Sequence, residues 1–150
     1  MSTIERAIEI AARGHAGQID KGGEPYIFHP LRLMFAVESP LEKMTAVLHD
    51  VVEDTDWTLD QLRKEGFPQE VVDAVDALTK REGETRVDAG RRAAINEIAR
   101  AVKLADVNDN MRLTRITDPT AKDLARLEEY EAVKQILTTA KQADAAEDED

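Results

Sequence analysis

Ser39-Pro40-Leu41-Glu42-Lys43-Met44-Thr45-Ala46-Val47-Leu48-His49-Asp50-Val51-Val52-Glu53-Asp54 is the stretch that decides the reading of this chain. It opens with a helix start. Ser39 can accept from an orphan N–H of the first turn, Glu42 can reach back to the Ser39 amide, and Pro40 stands where a missing N–H costs nothing. Met44, Val47, Leu48, Val51 and Val52 then recur at helical spacing. The same stretch predicts a helix through Val52 and places four ionisable side chains, His49, Asp50, Glu53 and Asp54, against its apolar face. A solvated charge run explains such acids poorly, because His49 and Asp50 follow Ala46-Val47-Leu48 directly. Burying a carboxylate without a partner costs several kcal/mol. A metal ion would supply the partner. Glu53 is four residues from His49, so both are expected on one face.

Helix punctuation continues in both directions. Ser2-Thr3-Ile4-Glu5 reads as another capping box, with Ile4 and Ile8 at helical spacing and Gly14 or Gly17 as the stop. Residues 18–28 hold a Gly pair and a Pro and read as a loop. Pro30 suits the first turn of a helix running to about Glu38. Thr58-Leu59-Asp60-Gln61 starts a further helix that Gly66 stops, and Pro68 opens one carrying Val71, Val72, Val75 and Leu78. Residues 81–90 are polar and read as a mobile loop. A helical stretch from about Arg92 to Met111 follows, with a break near Asn96. A last helix begins after Asp118-Pro119-Thr120 and carries Leu124, Leu127, Tyr130, Val133, Ile136 and Leu137. No strand pattern or internal repeat is evident. The expectation is an all-α chain, a compact single-domain helical bundle over residues 1–140, followed by an acidic, disordered tail at 141–150.

Composition narrows the function classes. The chain has 150 residues, a formal net charge of −11 and no cysteine. Disulfides, thiolate catalysis and zinc–thiolate sites are excluded. Any metal must use His, Asp or Glu, which favours harder divalent ions. Five acids and no base fall between Ala143 and Asp150, so the tail carries nearly half the imbalance. An acidic surface is unsuited to nucleic acid or anionic membrane. No apolar run approaches the ~20 residues a membrane helix needs, and the first residues lack a signal peptide's pattern. A cytoplasmic protein acting on a small molecule is expected. The oligomeric state is not readable.

Two more segments carry chemistry. His29 follows Tyr26-Ile27-Phe28 and precedes Pro30. Asp106 ends the mostly apolar Val102-Lys103-Leu104-Ala105, and Asn108, Asp109 and Asn110 continue it with polarity unusual inside a helix. Taken singly, His29 reads as a capping histidine and Asp106 as an exposed or capping acid. Spacing does not assemble His29, His49, Asp50 and Asp106 into one site.

A resemblance does. Pro25-Tyr26-Ile27-Phe28-His29-Pro30, His49-Asp50-Val51-Val52-Glu53-Asp54-Thr55 and Lys103-Leu104-Ala105-Asp106, in this order, resemble the HD-domain phosphohydrolases of the RelA/SpoT type, above all their small stand-alone alarmone hydrolases. The likeness covers roughly residues 3–137. It implies the HD-domain fold, and Mn²⁺ held by His29, His49, Asp50 and Asp106. It implies that Glu53 and Asp54 position and deprotonate the attacking water, and that Asn110 contacts the nucleotide sugar. The implied reaction removes the 3′-pyrophosphate from ppGpp or pppGpp. Lys21 is a candidate phosphate or base contact, or a solvated loop lysine.

The sequence departs from the pattern at two places. Asp20-Lys21 stands where family members often have Arg-Lys flanking the guanine. Val107-Asn108-Asp109-Asn110 stands where they often have Arg-Leu-His-Asn. The alternatives left open are another phosphorylated nucleotide, such as an adenine alarmone or NADPH, and a catalytically silent nucleotide-binding regulatory module. His15 reads as structural rather than as a ligand, Tyr130 as core, and Trp57 as packed on Leu59 and Leu62.

Overall fold

In a computed structural model of the chain, residues 2–114 and 119–149 are described. Among them the architecture is all helical: α1 (Ile4–Gly14), α2 (Phe28–Ala36), α3 (Pro40–Leu48), α4 (Val51–Asp54), α5 (Leu59–Lys64), α6 (Gln69–Leu78), α7 (Arg86–Ile95), α8 (Glu97–Thr114) and α9 (Ala121–Asp148). The one extended feature among the described residues is an isolated antiparallel bridge, Ile19 to Pro25, that closes the loop before α2. No described helix is long and apolar enough to cross a membrane.

The expected caps largely form. Ser39 with Glu42, and Thr58 with Gln61, make reciprocal capping boxes. The first helix differs by one residue. Thr3 is its N-cap and accepts from the Arg6 amide, while Ser2 hydrogen-bonds the Glu65 carbonyl. Asn96 separates α7 from α8 as expected, its Oδ1 accepting from the Ala99 amide at 2.9 Å.

Three expectations are corrected. The helix from Pro40 does not run through Val52. It stops at Leu48, and His49-Asp50 form a turn before the short α4. The two side chains therefore sit at a helix break, where the backbone can aim them into one place. Residues 86–90 are helical, and only the residues from Thr79 to Thr85 form a loop. Arg92 binds that loop down. It donates to the Ala77 carbonyl at 2.6 Å, the Thr79 carbonyl at 3.0 Å and both Glu84 oxygens at 2.9 and 2.8 Å. Finally, α9 continues to Asp148, where the composition suggested a disordered tail from 141. Alanine, lysine and glutamine there are strong helix formers. The buried Arg100 also pairs with Asp144 at 2.6 Å.

The main core joins α1, α3, α5, α6 and α8 through Ile10, Val47, Leu48, Leu62, Val71, Val72, Val75 and Val102, with Val51 of α4. A second cluster joins α7, α8 and α9 through Ala94, Val107, Met111, Val133 and Leu137. Helix α8 belongs to both clusters. Its middle, around Asp106, is thus fixed from two sides.

Candidate metal centre

Two segments converge on the buried Asp106 of α8. His29 enters from the first turn of α2, and His49 with Asp50 from the turn between α3 and α4. His29, His49 and Asp50 offer ligand atoms within 4.8 Å of one another. Asp106 Oδ1 lies 2.8 Å from His29 Nε2 and 3.7 Å from His49 Nε2, and His49 Nε2 is 3.0 Å from Asp50 Oδ2. Neighbouring ligands of a divalent ion stand about 3 Å apart when each bond is about 2.1 Å. The donor set fits such an ion: two imidazoles, two carboxylates, no sulfur.

The local structure aims these groups. His49 Nδ1 donates to the Ala46 carbonyl at 2.7 Å, which turns Nε2 toward the carboxylates. The Tyr26 hydroxyl donates to Asp50 Oδ2. Burial, and then the negative charge of Asp50, push that phenol up, so it remains a donor. Lys103 Nζ donates to Asp106 Oδ2 at 3.2 Å and Asn110 Nδ2 to Asp106 Oδ1 at 3.1 Å. Burial alone would raise Asp106 and lower the imidazoles. For Asp106, Lys103 and the two histidines reverse that and hold its carboxyl well below the usual range. Asp50 and Asp106 likewise hold His49 up against the cost of burial, and Asp106 and Asp109 do so for His29. Each negative group is thus matched by a positive one, the balance a bound cation would also satisfy.

Glu53 and Asp54 follow one turn later and are exposed to the same cavity of about 520 Å³. That volume falls in the ordinary range for small-molecule sites. Glu53 Oε1 accepts the Lys80 amide at 3.0 Å. Burial, then Asp50 and Glu53, push Asp54 up to about 6. Lys21 and Asn110 also line the cavity, so the structure brings all eight expected site residues together around it. Asp20 lines it too, but its Oδ1 accepts from the Gly22 and Glu24 amides at 2.8 and 3.0 Å. That carboxylate shapes its own turn.

Several cavity residues escaped the sequence reading. Lys80 and Arg86 line it from the two ends of the α6–α7 connection, and Lys103 from α8. Tyr130 packs against the second cluster, as expected, yet also faces the cavity, with the Arg86 guanidinium 4.9 Å from its ring centre. No local pattern in the segment pointed to this, since residues 81–90 read only as a polar, mobile loop. His15 is buried with Nδ1 2.8 Å from Gln18 Oε1, consistent with a structural part. Trp57 packs against the main core, of which Leu62 is a part.

The chain is 38% identical over 117 residues to the guanosine-3′,5′-bis(diphosphate) 3′-pyrophosphohydrolase of Haemophilus influenzae, over 69% of this chain. It is 36% identical over 125 residues to a GTP pyrophosphokinase of Streptomyces coelicolor, over 75% of this chain. A solved structure described as a metazoan ortholog of SpoT that hydrolyzes ppGpp superposes with a TM-score of 0.75 at 25% identity, covering 91% of this chain and 86% of that one. The chain is homologous to the RelA/SpoT family. Its fold is the HD-domain-like fold of that family's hydrolases. It spans only 17% and 15% of the length of these two curated relatives. No family model matches the chain. Within the RelA/SpoT comparison, the His/Asp cluster is consistent with metal-dependent phosphohydrolase chemistry.

Proposed function

We propose that this chain is a metal-dependent phosphohydrolase that removes the 3′-pyrophosphate of ppGpp or pppGpp and releases pyrophosphate. The observation that carries this is a juxtaposition. The His29, His49, Asp50 and Asp106 cluster and the Glu53–Asp54 pair open on one cavity, which Lys21, Lys80 and Arg86 also line. In an acidic protein, a cavity that sets Lys21, Lys80 and Arg86 opposite a metal-ligating cluster is suited to a phosphorylated ligand.

His29, His49, Asp50 and Asp106 would hold the ion, Mn²⁺ in this reading. When bound, such an ion lowers the pKa of a water and neutralises phosphoryl oxygens. The remaining chemistry belongs to the chain's own residues. The bond formed joins water oxygen to the phosphorus on the ribose 3′ oxygen. The bond broken is the one between that phosphorus and the 3′ oxygen, which leaves and takes a proton. Asp54, pushed up to about 6, is ionised near neutrality yet basic enough to take the water's proton. Glu53, tied to the Lys80 amide, orients the water beside it. Lys21, Lys80 and Arg86 bind phosphate oxygens as charged donors. Asn110 contacts the sugar while also donating to Asp106.

The base is the open part of this reading, because Asp20 is engaged with its own turn. The test is a Mn²⁺-supplemented nucleotide screen that measures released pyrophosphate and phosphate separately. The expected result is stoichiometric pyrophosphate from ppGpp. Turnover of only an adenine alarmone or NADPH would reassign the substrate. Absence of turnover with every nucleotide, with tight nucleotide binding, would favour a silent regulatory module.

A further inference from the structure

His29 and His49 are held by different acceptors. His49 Nδ1 donates to a neutral backbone carbonyl, that of Ala46. His29 Nδ1 lies 2.6 Å from a carboxylate oxygen, Asp109 Oδ2. Asp109 is itself gripped. Arg32 donates to it as a fork, Nε to Oδ1 at 2.8 Å and Nη2 to Oδ2 at 2.9 Å. Arg112 Nη2 approaches Oδ1 at 3.3 Å from the next turn of α8. The Asp109 side chain is only 9% exposed. It is thus a fixed negative acceptor aimed at one imidazole nitrogen.

We propose that Asp109, locked by Arg32, is a positioning residue that sets the tautomer and direction of His29 and strengthens it as a ligand. This goes beyond the proposed function and rests on its reading of His29 as a ligand. An acceptor oxygen at Nδ1 keeps a proton there, so that Nε2, which faces Asp106 and His49, is the nitrogen that gives up its proton to ligate an ion. A carboxylate in that place also makes the imidazole a stronger donor. The guanidinium fork holds the carboxylate's plane, which a single lysine charge would not. Asp109 is three residues beyond Asp106 on α8, and Arg32 three beyond His29 on α2. The two helices therefore carry ligand and support as matching pairs, one turn apart. Asp109 is also one of the three positions, 107–109, at which the chain departs from Arg-Leu-His-Asn.

The experiment uses the full chain and Mn²⁺ alone, with affinity read from the free-ion electron paramagnetic resonance signal. Asp109→Ala is expected to weaken Mn²⁺ binding 10–100-fold, the usual effect of losing such support. Asp109→Asn keeps the shape and an acceptor oxygen and is expected to lose less. Circular dichroism establishes that each variant is folded, and Asp109→Asn decides the question if Asp109→Ala is not. A structural role alone would add its loss to that of His29→Ala. Positioning predicts instead that Asp109→Ala costs no further affinity once His29 is alanine. Unchanged affinity in a folded Asp109→Ala, or additive losses in the double variant, overturns the proposal and leaves the metal centre standing. Failure of the unaltered chain to bind Mn²⁺ overturns both together.

Discussion

At Gly90 α7 comes close against Val133 of α9, and replacing the glycine with alanine is a worked test of how the cavity is built. A Cβ at position 90 would lie 2.8 Å from Val133 Cγ1 and 3.2 Å from Cγ2. Ordinary carbon contacts are about 3.5–4.0 Å, so one helix must move by roughly 1 Å or Val133 must leave its rotamer. Val133 is fully buried and β-branched, which leaves it one comfortable χ1 in a helix. Overpacking of this kind costs about 1–3 kcal/mol. Against it stands the helix propensity gained by Gly→Ala, about 1 kcal/mol. The net expectation is a destabilisation of ~1 kcal/mol, or roughly 2–4 °C in Tm for a chain of this size. Urea melts of Gly90→Ala, Val133→Ala and the double variant read it out. In the double variant the clash is gone and the propensity gain remains. The pair should therefore be more stable than the sum of the single losses by about 1–3 kcal/mol. Additive effects, or a Gly90→Ala variant that melts higher, would refute the close packing. The consequence reaches the site, because α7 carries Arg86 and α9 carries Tyr130.

The remaining expectations are direct. Asp50→Ala should abolish Mn²⁺ binding and turnover, and full metal occupancy in that variant would show the ligand assignment to be wrong. Glu53→Gln combined with Asp54→Asn should lower turnover by ~10²–10⁴-fold with metal content nearly unchanged; unaltered turnover would remove the pair from the chemistry. Glu84 is held down to about 2, chiefly by its hydrogen bond with Arg92. A depressed carboxyl stabilises the fold above its unfolded value and loses that contribution as pH falls toward 2. Glu84→Gln should therefore be less stable than the unaltered chain at pH 7, with the gap in urea midpoints narrowing below pH 5. A gap independent of pH would show that the Arg92 clamp does not act through charge.

Much of the fold was legible because local signals and burial agree. The Ser39 and Thr58 boxes, the Asn96 break and the apolar spacing of α6 each state in sequence what the packing uses. The helix through His49 was misread for a physical reason. Val51 and Val52 keep the apolar period across the turn, so periodicity does not reveal that the backbone breaks there. The loop around residues 81–90 looked mobile because its order comes from Arg92, whose guanidinium holds carbonyls 13–16 residues away. No local pattern reports such a bond. The same holds for the cavity's far wall, where Lys80, Arg86 and Tyr130 meet only in three dimensions.

The four expected ligands illustrate the limit of spacing. His29 and Asp106 are 77 residues apart and each has an ordinary reading alone. Their meeting depends on α8 being wedged between two apolar clusters. Val102 anchors one end in the main core and Val107 and Met111 the other in the second. Asp106 lies between these anchors, so its burial is enforced by apolar neighbours that gain more than the carboxylate loses. The penalty is then met by His29, His49, Lys103 and Asn110. A carboxylate forced into the core by its neighbours, and surrounded by groups that answer its charge, is a different object from a surface acid of the same sequence context. That difference is made by packing. It is why Asp109, an ordinary helix acid in sequence but largely covered in the fold, emerges as a support for His29 only once α2 and α8 are laid side by side.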